Sequence, residues 1–452
     1  MHLPTAPGRL PVIGHMAAYA RDPLKFLERA SRLGPLVQMD FLNFQSVLVN
    51  DPELIEQILV TEHRSFQKDR YLRDLKRALG EGLLTSEGDF WLRQRRLAQP
   101  AFHKERIAEY GRTMVECAEH ELSRWREGEE RDVHADMMRV TLDIVGKTLF
   151  GADVSDRAAE VAHGLEGLME RYGDPVAMGV PNWDKLPTPL NRRVERAIRN
   201  LDRVVRDMIR ERKKRGEGRD LLSMFLAARD DDGTGMSEQQ LRDEVLTLFL
   251  AGHETTAITL SWTWMLLSQN PHVARKLHEE LDAVLGGRAP TAADMTRLPY
   301  AERVIKESMR LYPPAWSLGR EAIRDVQIGP LAVKKGTNLW IAQWALHRDA
   351  RWFDDPERFD PDRWAGDLQK RIPKYAYFPF GGGPRLCIGN AFAMMEAVLV
   401  LATFAQRFQL DLVPGQLLEG VPSITLRPKH GIRVRLARRR TVQPTALRAM
   451  GD

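Results

Sequence analysis

Residues 380–389 read Phe380-Gly381-Gly382-Gly383-Pro384-Arg385-Leu386-Cys387-Ile388-Gly389. Three successive glycines and a proline predict a tight, open loop, where backbone can come close to a flat ligand. Asn390–Phe408 then predicts a helix with apolar Ala393, Ala397, Val400 and Leu401, so Cys387 stands just before a helix N-terminus. The helix dipole and free N–H groups there favour a thiolate. Arg385 adds positive charge two residues earlier, within reach of an anionic ligand edge. A buried structural cysteine is the commoner fate of a lone thiol, but it accounts for neither the glycines nor the arginine.

The 452-residue chain around this loop is 43% hydrophobic and 29% charged, the composition of a folded protein with a large core. Its 67 basic and 62 acidic residues are interleaved, so the net +5 reads as a mixed solvated surface and not as a nucleic-acid footprint. Only Cys117 and Cys387 are present, which excludes a disulfide framework and suits a reducing cytoplasm. No apolar run reaches the roughly 18 residues that span a bilayer, and Met1-His2-Leu3-Pro4 is not the start of a signal peptide. The expectation is a protein with no membrane anchor.

Patterning divides the chain unevenly. Residues 1–15 are rich in Pro and Gly and predict extended chain; Leu36–Asp40 and Ser46–Asn50 read as strands; Pro52–Asp282 is mostly helical. Gly173–Pro189 and Arg229–Gly235 read as loops, Ser317–Trp340 as a small sheet and Val421–Leu436 as a hairpin. No repeat or linker separates two domains. The expected fold is mainly α with a small β region over residues 1–437, followed by a basic, polar, disordered tail over residues 438–452 that begins with Arg438-Arg439-Arg440.

Three further segments carry chemistry. Ser237-Glu238-Gln239-Gln240 predicts a capping box opening a helix that runs to about Asn270. Inside it, Ala251-Gly252-His253-Glu254-Thr255-Thr256 is a poor helix interior, a local conflict that points to function. Gly252 permits a widened turn, Thr255 offers a hydroxyl to something bound there, and Glu254 can pass protons. Trp91 and Arg95, four apart on one helix face, are suitable donors to a carboxylate. Glu307 and Arg310 share a face of Ala301–Leu311, a pair that alone is an ordinary surface ion pair.

The loop resembles the haem-binding loop of the cytochrome P-450 family, written Phe-Gly-x-Gly-x-Arg-x-Cys-x-Gly. Phe380, Gly381, Gly383, Arg385, Cys387 and Gly389 meet every fixed position. The other segments fall in the family's order along nearly the whole chain. The resemblance implies the single-domain triangular helical prism, and haem b (iron protoporphyrin IX) held through Cys387, the thiolate ligation known for this family. It implies that Thr255 and Glu254 serve oxygen activation and proton delivery, and that Trp91, Arg95, Arg385 and Arg320 hold the propionates. Glu307, Arg310 and Arg358 would form a buried structural triad. Leu83, Leu84, Ala251, Ala315 and Trp316 would line an apolar substrate pocket, with the Gly173–Pro189 loop over its entrance.

The implied activity is insertion of one oxygen atom from O2 into a fatty acid, terpenoid, steroid or carotenoid-like molecule. No flavin-binding stretch is present, so a separate ferredoxin or flavodoxin with its NAD(P)H reductase must supply electrons, as for a bacterial-type member of the family. Arg93, Arg96 and Lys374 are candidates to dock that donor. A peroxide-driven peroxygenase and a non-catalytic haem sensor remain as alternatives. The intact Glu254-Thr255 pair argues against the first, and NAD(P)H-dependent turnover would exclude the second.

Overall fold

Short polar side chains set where the main helices begin. Asp132, Thr188, Asp220 and Ser237 each accept a backbone N–H from the first turn of the helix that follows. The computed structural model describes residues 2–42, 44–152, 186–216, 218, 220–229 and 233–439. At its centre lies the long helix Glu238–Gln269, capped by Ser237 Oγ at 3.2 Å from the Gln240 N–H. The reciprocal half of the predicted box is missing, because the Gln240 amide does not reach back.

From Leu241 to Leu267 every residue of this helix is buried except Ala251, Gly252 and Thr255. Helices Val133–Leu149, Pro189–Arg215, Pro299–Leu311 and Asn390–Ala405 pack around it. Burying a helix on all sides leaves its polar side chains without water, and they bond inward. Thr255, Thr259, Ser261 and Thr263 each donate to the carbonyl four residues back, at 2.6–2.9 Å.

The β region is small and lies mostly to one side. One sheet runs Leu36–Phe41, Phe44–Val49, Asn338–Ile341, Leu318–Ala322, Phe66–Lys68, with only the second and third strands parallel. The fold is thus the expected one, with some boundaries moved. The helix after the cysteine loop ends at Ala405, because Phe408 opens a strand. Val421–Leu436 is not one hairpin: Gly420–Pro422 pairs with Leu426–Pro428, while Arg433–Arg438 joins Phe408–Leu412 and Glu130–Asp132. That strand includes Arg438. Arg439 then bonds Asp282 at 2.8 Å and the Ala405 carbonyl at 3.0 Å, so the ordered fold extends past the predicted start of the tail. Residues 440–452, and 173–185 of the predicted loop, lie outside the described residues.

Glu307 and Arg310 are fully buried and joined by two hydrogen bonds of 2.9 and 2.8 Å. The third partner is Arg363, not Arg358. Arg363 Nε donates to Glu307 Oε1 at 2.8 Å, with Trp364 Nε1 (2.8 Å) and the Asp360 N–H (3.1 Å) completing the shell. The Arg358 side chain is exposed, and only its carbonyl takes part, accepting from Arg310 at 3.0 Å. A carboxylate removed from water is tolerable only when its lone pairs are filled with good geometry. Arg363→Ala should therefore cost about 3 kcal/mol or more by leaving Glu307 under-paired. Arg358→Ala should stay within about 0.5 kcal/mol of wild type. Urea unfolding of both variants checks this, and the reverse ranking would restore Arg358 to the triad.

Candidate active site

The loop before the cysteine helix folds back on itself, with the Cys387 N–H donating to the Phe380 carbonyl at 3.0 Å. Gly383 has φ +63°, and a Cβ there would lie 1.9 Å from the Leu59 carbonyl oxygen; one on Gly382 would lie 2.3 Å from the Tyr375 ring. Only glycine lets the loop lie this close to the chain beneath it. Gly381 also has a positive φ, +71°, while Gly389 faces the Phe102 ring and Phe380 packs half-buried against the main core. Cys387 is exposed at the end of the loop. Burial raises its pKa, opposed by the Gly389 N–H and by the charge of Arg95.

Cations gather around the loop and the segment Leu83–Glu87. Arg95 Nη1 donates to the Leu386 carbonyl at 2.7 Å. Arg385 lies 3.8 Å over the Trp91 ring, donates to the Ser86 carbonyl at 3.0 Å and pairs with Glu87. Arg320 sits opposite Lys68 in the strand register and bonds the Gly319 carbonyl. Lys68 is buried, its Nζ 3.3 Å from the carbonyls of Leu83 and Ser86. Burial, with Arg385 and Arg320 nearby, pushes the Lys68 amine down to about 7, and burial lowers Arg385 to about 10. Burial also lowers Arg95 and Arg320. Four desolvated cations, with Glu87, Asp69 and Glu244 as the carboxylates acting on them, form a donor set for an anion. A haem propionate edge fits that chemistry.

Sequence reasoning missed Lys68, a lone lysine whose burial comes from strand pairing with a segment about 250 residues away. It also missed Glu396. This side chain is fully buried on the cysteine helix, and burial holds its pKa well above the usual carboxyl range, opposed by the Thr256 hydroxyl. A lone acid within Ala393–Ala405, otherwise almost wholly apolar, was the available signal.

On the long helix, Ala251 is exposed and Thr255 half-exposed although their neighbours are buried, which marks a cleft at mid-helix. The turn is not widened: the helix is unbroken, and Thr255 Oγ1 donates to the Ala251 carbonyl at 2.8 Å. Gly252 is there for packing, since a Cβ would come within 3.1 Å of Val145. Glu254 does not stand free. Its Oε1 accepts from Thr425 Oγ1 at 2.8 Å and Arg427 Nη2 at 3.2 Å, while buried Oε2 has no partner. Burial raises its pKa, and Arg427 and Thr425 oppose the rise.

The predicted pocket residues divide. Leu83 and Leu84 are half-buried against the main core, and Ala315 is exposed. The Trp316 indole instead donates to the Ser423 carbonyl at 2.9 Å and lines a separate cavity of about 190 Å³ with Tyr19, Phe41, Phe44, Trp340 and Ile424. None of Leu83, Leu84, Ala251, Thr255, Ala315 or Cys387 borders that cavity.

The cytochrome P450 family model matches residues 4–432. Cyclooctatin synthase of Streptomyces melanosporofaciens is 39% identical over 93% of this chain and 93% of its own. Cyclooctat-9-en-7-ol 5-monooxygenase of the same organism is 37% identical over 92% and 91%, and pentalenene oxygenase of Streptomyces avermitilis 34% over 96% and 97%.

Burial also reaches the histidines, pushing His134 and His253 down to about 4 and His347 to about 3. Unfolded imidazoles take up protons as pH falls through about 6.5 while these stay neutral, so the unfolded state binds more protons and stability falls towards pH 4. Each such histidine contributes a slope of up to about 1.4 kcal/mol per pH unit. In urea titrations between pH 7 and 5, His253→Phe should flatten the slope. An unchanged slope would mean that His253 is charged in the folded protein.

Proposed function

This chain belongs to the cytochrome P450 family, and from that premise we propose which of its residues do the family's chemistry and on what substrate. It is a haem-thiolate monooxygenase that uses O2, electrons from a redox partner and a hydrophobic small molecule. Cys387 would hold the haem iron through its thiolate. Arg95, Arg385, Arg320, Lys68 and Trp91 would hold the haem propionates, and Phe380, Gly381 and Gly389 shape the loop that carries Cys387. The observation that carries this is the exposed Cys387 on a tight glycine loop, with Arg95 bonded to the neighbouring Leu386 carbonyl and Arg385 stacked on Trp91.

Haem bound through a thiolate supplies O–O cleavage. The chain's own residues supply positioning and protons. The Thr255 proton is committed to the Ala251 carbonyl, which leaves its oxygen able to accept from a donor in the cleft. Glu254 carries the proton at Oε2, its free oxygen, while Thr425 and Arg427 fix Oε1. Arg427 is a positioning residue: it keeps a deeply buried carboxyl able to ionise as well as to hold a proton. Leu83, Leu84, Ala251 and Ala315 would contact the substrate; Trp316 lines the cavity with Tyr19 and Trp340.

The substrate is a cyclic terpenoid. The relatives named for cyclooctatin, cyclooctat-9-en-7-ol and pentalenene support this over a fatty acid, steroid or carotenoid-like molecule. The electron donor is a ferredoxin or flavodoxin with its NAD(P)H reductase, and the cytoplasm suits two free cysteines.

The test is turnover of a cyclic-terpene panel with a surrogate ferredoxin chain and isotopically labelled O2. The product should gain one labelled oxygen. Glu254→Gln and Arg427→Gln should each lower product per NADPH about tenfold or more, and Arg427→Lys should recover most of it. Turnover with peroxide but not with NADPH would establish the peroxygenase reading instead.

A further inference from the structure

The helix Pro189–Arg215 carries eleven basic and four acidic side chains, a net +7. The whole chain is net +5, so everything outside this one helix is net −2. Their placement is as telling as their number. Arg192, Arg196, Arg199, Arg203, Arg206, Arg210 and Lys213 follow one another at steps of four, three, four, three, four and three. With 3.6 residues per turn, that spacing sets them in a single row along the helix, about 32 Å long. All are exposed except Arg206, which is half-buried.

The other face of the helix is used up in the fold. Val194, Leu201, Val204, Val205, Met208 and Ile209 are buried, and the helix packs on the long helix. Acids on the flanks engage at least four of the seven: Glu195 lies 3.8 Å from Arg199, Asp202 2.9 Å from Arg206 and Glu238 2.5 Å from Lys213, and Asp207 pairs with Arg210. They do not balance it. No large apolar side chain is exposed between Pro189 and Arg215.

We infer that this arginine row is a docking surface for an anionic phospholipid membrane, on which the helix lies flat. A stable protein interface has an apolar centre from which charge is depleted. The row offers the opposite, an unbroken line of cations with no apolar anchor. A plane of anionic headgroups takes such a line along its whole length, each Lys or Arg adding to the attraction. Without exposed apolar side chains the helix rests on the headgroups and does not insert. The consequence for a hydrophobic substrate is direct, since such molecules partition into the bilayer and the enzyme would be held against their reservoir.

The experiment is co-sedimentation of the haem-loaded full chain with vesicles, independent of any activity. Phosphatidylcholine vesicles containing one-third phosphatidylglycerol should bind it at low salt, and release it at high salt, because exposed charges are screened. Pure phosphatidylcholine vesicles should not bind. The triple variant Arg192→Glu, Arg196→Glu, Arg203→Glu, with its haem spectrum intact, should bind at least about tenfold more weakly. A control reversing three exposed arginines elsewhere, Arg32, Arg112 and Arg371, should bind much more tightly than that variant. Equal binding of both vesicle types, no binding at low salt, or equal loss in the control would each overturn the inference. So would a row variant that binds vesicles normally but is reduced more slowly by the electron donor, which would make the row a protein-docking surface.

Discussion

A carboxylate with no access to water must have every lone pair filled, and Glu307 imposes that demand on the centre of this fold. Five donors from two segments meet it: Arg310 twice, then Arg363, Trp364 and the Asp360 N–H. The same helix holds the next stretch of chain through the Tyr377 hydroxyl, which donates to the Lys306 carbonyl at 2.8 Å. His347, whose carbonyl accepts from Arg310, accepts the Phe378 N–H at 3.1 Å. The chain therefore enters the glycine loop at Phe380 from a fixed direction, and the Phe380–Cys387 backbone bond closes it. The thiol's position follows from a buried ion cluster that takes no part in the chemistry.

The long helix applies the same accounting of polar groups to a different end. Threonines and a serine turn their hydroxyls onto their own backbone and vanish into the core. Glu254 cannot do that, and its partners come from the C-terminal hairpin, Thr425 and Arg427. Trp262 ties that hairpin to the same helix through the Leu426 carbonyl at 2.9 Å. The hairpin thus fixes the Glu254 carboxyl although it lies about 170 residues from the helix in sequence.

Local patterns were legible where a residue's role depends on its near neighbours. The glycine loop, the Ser237 cap, the span of the long helix and the Glu307–Arg310 pair could all be read from spacing. Roles set by distant packing could not. Pro356-Glu357-Arg358-Phe359 and Pro361-Asp362-Arg363-Trp364 look alike as strings. Which arginine turns inward is decided by a turn in which Arg358 presents its carbonyl, and the indole of Trp364 was the only local hint. Lys68 is buried by pairing with Arg320, and Trp316 is drawn aside by Ser423; neither partner is near in sequence. Gly252 does not widen the turn as its sequence suggests; the helix is unbroken there, and a Cβ would crowd Val145.

The most direct measurement is the optical spectrum of the reduced, carbon-monoxide-bound holoprotein with each cysteine replaced in turn. Thiolate ligation shifts the Soret band of that complex to longer wavelength than imidazole ligation does. Cys117 is buried, and burial pushes its thiol up to about 12, which disfavours a thiolate. Wild type and Cys117→Ser should show the shifted band, and folded Cys387→Ser should lose it. A shifted band that survives in Cys387→Ser would contradict the assignment on which the site rests.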